Sequence, residues 1–253
     1  VPISTPGSRS ANAVRRRLVP MSHSAKQAPL DFVASFDDPA AVARYAEGPP
    51  RFVPGFEALH RMTGILLAEG TPPDAQVLVL GAGGGLELRA LVEAQPRWTF
   101  VGVDPSREML LQAERTLGPL MDRVTLIQGY IDDAPAGPFD AATCLLTLHF
   151  LDAVEREATV CAIHRRLRAA APFVAAHGSF PQDERPRWLD RYEAYALASG
   201  VDREQARKAR AAVEASLPAL DPQQDADILL DGGFRDVALF YAAFTWRGWI
   251  ARA

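Results

Sequence analysis

The chain has 253 residues, 48% of them hydrophobic and 23% charged, with a formal net charge of −4. That is long enough for one well-buried α/β domain or two small ones, and the composition is ordinary for a cytoplasmic globular protein. No apolar run reaches the roughly 18 residues of a membrane span. No long basic run in the body of the chain favours nucleic acid or an anionic membrane. Two cysteines, Cys144 and Cys161, are too few for a disulfide framework and too isolated for a metal site.

Residues 1–30 lack hydrophobic periodicity and are expected to be a disordered extension. Met21 is read as the natural start and residues 1–20 as non-native; Arg15, Arg16 and Arg17 in an acid-free stretch leave an organelle presequence as the alternative. Residues 31–253 are expected to form a single domain. Residues 37–48 suggest a short helix opened by Asp38 and Pro39 and closed by Gly48. A longer helix should end near Gly70, with Phe56, Leu59, Thr63, Leu66 and Leu67 on one face.

From residue 76 strands and helices alternate. Strands are expected at 76–80, 98–104, 123–129, near 139–146, and at 172–179. The intervening helices begin near Gly85, at Ser106 as N-cap, and at an Asp152/Glu155 capping pair. Such alternation predicts a Rossmann-like, mostly parallel sheet with helices on both faces. After Ser179 a helical cap over about 181–221 precedes one more helix and two adjacent strand-like runs. Two strands with no helix between them must pair as an antiparallel hairpin, which completes a seven-stranded sheet.

The most informative stretch is "QVLVLGAGGGLELRAL", residues 76–91. A buried strand runs into a turn in which four of five residues are glycine. At the carboxyl edge of a parallel sheet such a turn brings a ligand onto the backbone and the following helix N-terminus. Gly81 permits the turn; Gly83 and Gly85 are expected to clear the ligand's path. The pattern is G-x-G-x-G, and Leu86 occupies the third glycine position of a dinucleotide fingerprint, which argues against a nicotinamide dehydrogenase. Asp104, closing the second strand, is placed to accept both ribose hydroxyls of an adenosine.

With "FVGVDPSREML", "GYIDDAPAGPFDAATCLLTLHFL", "RRLRAAAPFV" and the terminal hairpin, the chain resembles the class I S-adenosylmethionine-dependent methyltransferases from about Val53 to Arg252. Within them "RFVPGFEALHRMTGIL", "TLHFLDAVER" and "FTWRGWIA" are similar to the carboxy-S-adenosylmethionine synthase group, which supplies a carboxylated cofactor for modification of a transfer-RNA wobble uridine. The resemblance implies S-adenosyl-L-methionine as cofactor. It places Gly81, Ala82, Gly83 and Gly85 along the cofactor's methionine part, Asp104 on its ribose, and Pro105, Ser106 and Met109 beside its adenine. It also suggests a homodimer. The chain differs from the family pattern at Val79, where Asp or Glu is usual, and at Gly129-Tyr130, where Gly-Asp is usual; Asp132 or Asp133 would then receive the adenine amino group. Leu145-Leu146-Thr147 is less polar than in the carboxylating relatives.

Tyr130, followed by Ile131, is expected to close over the adenine. His149, just after the fourth strand, is the candidate catalytic base or acceptor-positioning group, with a packed structural histidine as the alternative. Arg51, at the predicted cofactor mouth, would meet a carboxylate of cofactor or substrate. Trp188, Tyr192 and Tyr195 form a helical stripe, of which one or two would line an acceptor pocket. His177, His60 and His164 are read as structural. The leading functional reading is methyl transfer to a small molecule, without nucleic acid or membrane as direct partner. A carboxy-S-adenosylmethionine synthase and a non-catalytic cofactor-binding module are the alternatives.

Overall fold

The computed structural model describes Phe36, Asp38, Pro39, Val42 and residues 44–253. The expectations for residues 1–30 lie outside the described residues. Of the helix expected over 37–48, the continuously described part is a 3-10 turn, Tyr45–Glu47.

Two helices come first, α1 (Pro49–Phe52) and α2 (Phe56–Ala68). Strand β1 (Gln76–Leu80) leads to α3 (Leu86–Ala94), β2 (Thr99–Asp104) to α4 (Arg107–Leu117), and β3 (Val124–Gln128) to β4 (Ala141–Leu145). Helix α5 (Ala153–His164) connects β4 to β5 (Pro172–Gly178). Then come α6 (Arg185–Ala198), α7 (Arg203–Ser216), α8 (Pro222–Asp231) and the hairpin β6 (Arg235–Ala243) and β7 (Trp246–Arg252). The sheet order is β3-β2-β1-β4-β5-β7-β6. The first five strands are parallel, and β7 runs antiparallel to both β5 and β6.

Central strands are apolar on both faces because helices cover both. Val77 and Val79 face the core built with α2, α3 and α4, whereas Leu78 and Leu80 face the one built with α5 and α8. The expected helix signals act as read. The Ser106 hydroxyl accepts from the Met109 amide, and Asp152 with Glu155 closes a capping box on α5. On α2 the buried face is Phe56, Leu59, His60, Thr63, Gly64 and Leu67; Leu66 is only partly covered.

The region after β5 packs as its own cluster. Phe180, Leu189, Tyr192 and Val213 form its buried part, and Phe52 of α1 and Trp246 of β7 lean on it. Two side-chain hydrogen bonds tie the hairpin to the α1–α2 junction. Tyr241 Oη donates to the Pro54 carbonyl at 2.6 Å, and Trp246 Nε1 to that of Phe52 at 2.9 Å.

Beneath this region lies a buried ion group. Arg156 of α5 pairs with Asp225 of α8 and donates at 3.0 Å to the carbonyls of both Leu151 and Pro218. His177 of β5 places Nε2 3.1 Å from Asp225 Oδ1, though off the direction of a good hydrogen bond. Burial alone would raise the Asp225 pKa, but His177 and Arg156 outweigh it and hold it near 2. The guanidinium is the stronger anchor, because its contacts are directional. A carboxylate with a depressed folded pKa stabilises the fold above its unfolded value and loses that contribution as pH falls toward 2. We expect Arg156→Met to leave Asp225 buried with less compensation and to cost about 3–5 kcal/mol, read as a lower Tm in thermal unfolding. An unchanged Tm would remove this group from the fold's supports.

Candidate active site: a glycine turn and an adjoining cavity

β1 ends where two backbone amides of the turn, Gly81 and Ala82, donate to the Val103 carbonyl of β2 at 2.8 and 3.0 Å. The Asp104 carboxylate completes the junction. Its Oδ2 accepts from the Gly83 amide at 2.8 Å and its Oδ1 from the Ser106 amide at 2.9 Å. A carboxylate oxygen can accept more than one hydrogen bond, which is the chemistry a pair of ribose hydroxyls needs. One residue therefore fixes the glycine turn, caps the approach to α4 and stays compatible with a sugar.

The glycines divide their work differently from expectation. At Gly83, with φ +50°, an added Cβ would come within 3.4 Å of Met109 Cε and 3.5 Å of Tyr45 Oη. Gly83 thus keeps backbone bare beside the start of α4. At Gly85, with φ +82°, a Cβ would lie 2.9 Å from Ala113 Cα. Gly85 lets α3 approach α4, so its missing side chain serves packing and not ligand access. Gly81 faces Thr147, whose hydroxyl fills the space beside it.

The remaining cofactor candidates gather along β2 and β3. Met109 is buried, and Ser106 Oγ donates to the Phe36 carbonyl at 2.7 Å. Pro105 offers its carbonyl to Gln128 Nε2 at 3.2 Å. Ile131 is buried, while Tyr130 is 50% exposed. Asp133 is engaged by the Tyr130 amide at 2.9 Å, and Asp132 lies 4.0 Å from Arg166. Arg51 departs from this group. It ends α1, lies 3.9 Å from Glu47 and lines a separate cavity of about 480 Å³. Of the two carboxylates expected for it, cofactor or substrate, this position faces the cavity.

That cavity adjoins the glycine turn. Leu146, His149 and Phe150, just past β4, form one wall; Tyr192 of α6, Val201 and Ala209 of α7 belong to the helical cap. Tyr45 belongs to both places, lining the cavity while its ring lies over Gly83 and Gly84. Of the aromatic stripe only Tyr192 lines the cavity, stacked on Phe52 at 5.4 Å. Trp188 is instead sandwiched by Arg191 and Arg247, and Tyr195 leans on Phe244.

His149 is 4% exposed, and its Nδ1 accepts from the Gly178 amide at 3.0 Å. Its pKa lies well below the usual histidine value, through burial first and then the nearby His177 and Arg156, with Asp225 opposing. A neutral imidazole whose Nδ1 accepts must carry its proton on Nε2. Nε2 has no partner among the described residues. The ring thus presents a donor, which suits the positioning role expected for this residue and not the base. Sequence spacing could place the residue but not the Gly178 amide that decides its tautomer.

Tyr45, Trp246 and Glu87 were not singled out by sequence. For Glu87 a signal existed: it stands four residues before Leu91 on the apolar face of α3 and is only 6% exposed. Tyr45 titrates above the ordinary range through burial, then the carboxylates Asp104 and Glu87. His60 lies under the Phe56 ring and its pKa is lowered to about 4 by burial. His164 packs against Phe234.

With this geometry, comparison with known proteins is specific. Residues 77–170 match the methyltransferase domain family. That match and the order of the seven-stranded sheet support a class I S-adenosylmethionine-dependent methyltransferase. Within that class the sequence is similar to two carboxy-S-adenosyl-L-methionine synthases. That of Campylobacter concisus (strain 13826) is 26% identical over 85% of this chain and 88% of the relative. That of Campylobacter curvus (strain 525.92) is 24% identical over the same shares. Among solved structures, magnesium protoporphyrin IX methyltransferase from Synechocystis PCC 6803, with bound S-adenosylmethionine, aligns with a TM-score of 0.63 at 15% identity. That alignment spans 91% of this chain and 99% of that one. PigF with S-adenosylhomocysteine gives 0.64 at 17% identity, covering 88% of this chain, which spans only 62% of PigF's length. The bare backbone at Gly83 and the Asp104 carboxylate beside it fit the cofactor of this class. No described helix is long and apolar enough to cross a membrane.

The tautomer is directly measurable. We expect nitrogen-detected NMR of His149 to show an unprotonated Nδ1 and a protonated Nε2 from pH 5.5 to 8; an imidazolium in that range would contradict the geometry.

Proposed function

We propose that this chain transfers a methyl group from S-adenosylmethionine to a small molecule held in the cavity between the glycine turn and the helical cap. Residues 31–253 then act as one domain, with about 181–221 covering the acceptor. The observation that carries this reading is the cavity itself. It is mostly apolar, adjoins the turn through Tyr45, and is walled by the residues that follow β4. Such concave apolar sites with a few placed polar groups are the usual form of small-molecule pockets.

The cofactor supplies a methyl already activated on a sulfonium, so the protein's task is alignment and exclusion of water. Asp104 and the Gly83 amide hold the ribose end, and Ser106, Met109, Tyr130 and Ile131 surround the adenine. Leu146 and Phe150 keep the approach dry. His149 orients the acceptor by donating from Nε2 and takes no proton from it. Arg44 and Arg51, also on the wall, favour an acceptor that is already anionic or carries an available lone pair.

A second reading is a carboxy-S-adenosylmethionine synthase-like activity, favoured by the curated relatives' coverage of 85% of this chain. Mass spectrometry of the nucleoside that co-purifies separates the two. S-adenosylmethionine or S-adenosylhomocysteine supports methyl transfer, and a carboxylated form supports the second reading.

Calorimetry tests the cofactor assignment. Asp104→Ala removes charge-assisted hydrogen bonds and should weaken S-adenosylhomocysteine binding by about 1.5–3 kcal/mol. Gly83→Val puts a branched side chain against Met109 and Tyr45 and should abolish the thermal stabilisation by the same ligand. Wild-type affinity in both variants would place the cofactor elsewhere.

A further inference from the structure

Glu87 is a buried carboxylate of the described core whose Oε1 has no hydrogen-bond partner and for which no ion pair is found among the described residues. It occupies the first turn of α3, immediately beyond the glycine turn. The side chain is buried against β4, where the Thr143 hydroxyl lies beside it, and neither Glu87 Oε1 nor Thr143 Oγ1 finds a partner of hydrogen-bonding geometry. Thr143 stands in register with Val79 of β1, so the strand behind the turn adds only an apolar side chain there. Burial pushes the Glu87 pKa up to about 8, with Thr143 pulling weakly the other way.

The neighbours sharpen the question. Tyr45, whose ring covers Gly83 and Gly84, feels the charges of both Asp104 and Glu87. Cys144, next to Thr143 on β4, is also raised by burial and by Glu87. None of these groups is a cation at neutral pH. Arg156 acts on Cys144 as its last and opposing influence, but it is committed to Asp225. A buried carboxyl without a partner is costly to ionise, and a fold keeps one at a binding edge when a ligand completes it.

We infer that Glu87 is the counter-charge for the cationic methionine end of the cofactor, with its carboxyl meeting the α-ammonium as the cofactor crosses Gly83 and displaces the Tyr45 ring. The inference rests on the cofactor reading above and adds a residue to it. Before binding, Glu87 carries a proton at neutral pH. On binding it ionises, and the proton leaves to solvent. The apo protein holds that proton in the window between about 4.5 and 8. Its stability therefore declines across that window as pH rises, because the folded state binds more protons than the unfolded one.

Calorimetry of S-adenosylhomocysteine binding, repeated in buffers of different ionisation enthalpy, tests this without turnover. Wild type at pH 7 should release close to one proton per ligand bound. Its Kd should fall about tenfold per pH unit up to pH 8 and level off above it. Glu87→Gln should release no such proton, lose the pH dependence, bind at least tenfold more weakly at pH 8, and melt at higher temperature than wild type at pH 8 without ligand. Glu87→Asp should restore the proton release in part. If wild type binds the ligand with no proton release and a flat pH profile, the counter-charge role is overturned while the cofactor reading stands; this outcome needs only wild-type protein. If wild type gives no binding at millimolar ligand, the cofactor reading fails and takes this inference with it.

Discussion

The Asp104 carboxylate accepts the Gly83 amide with one oxygen and the Ser106 amide with the other, and much of the site follows from those two bonds. A glycine turn by itself has many conformations and loses more entropy on ordering than any other segment. Here the turn is held at two points of β2: Val103 takes the amides of Gly81 and Ala82, and Asp104 takes that of Gly83. The same carboxylate sets the start of α4, where Ser106 caps the helix and Met109 is brought beside Gly83. Charge-assisted bonds of this kind are roughly twice as strong as neutral ones. A single acidic residue at the end of a strand therefore shapes the bed on which a nucleoside lies before it touches one.

The second half of the site depends on the antiparallel end of the sheet. Because β7 returns beside β5, the Trp246 indole reaches the Phe52 carbonyl and its ring meets His149 edge-on at 5.6 Å. The Gly178 amide, at the last residue of β5, points at His149 Nδ1. A Cβ at that glycine would lie 3.7 Å from the histidine ring, an ordinary van der Waals contact. The ion group of Arg156, Asp225 and His177 lies behind this junction and joins α5 and α8 to β5. Cap, hairpin and histidine form one mechanical unit. The cavity's shape is thus set by elements far apart in sequence and owes little to the nucleotide-binding half.

What the sequence made legible, and what it did not, divides along the range of the physics. Strands β1 to β5 were readable because continuous apolar runs between glycines have few alternatives in a parallel sheet. Caps at Ser106 and Asp152 were readable because their partners lie three residues away. The hairpin followed from the lack of any helix between two strands. Contacts across the fold carried no such signal. Arg51 was expected to meet a carboxylate of either cofactor or substrate, and only the packing of α1 shows that it lines the cavity. Gly85 looked like its neighbour Gly83, but what fills the space beside it is Ala113 of another helix. His149 was placed after β4 with base and positioning roles both open, since the amide that decides its tautomer lies 29 residues on.

Glu87 and Asp104 show how the same charge takes opposite values in one site. Asp104 is met by two amides and is rigid, so it contributes to stability and to ligand shape together. Glu87 is met by one misaligned hydroxyl, so its ionised form is penalised while the protein is empty. Replacing it with an apolar residue of similar size would remove that penalty, and the fold alone gives no reason to keep it. A group that weakens the empty protein gains when an opposite charge arrives, and the gain is largest where water is excluded. Binding energy that depends on ligand charge discriminates a cationic cofactor from neutral nucleosides of the same shape. Asp104 and the glycine turn cannot make that distinction, because an adenosine satisfies both.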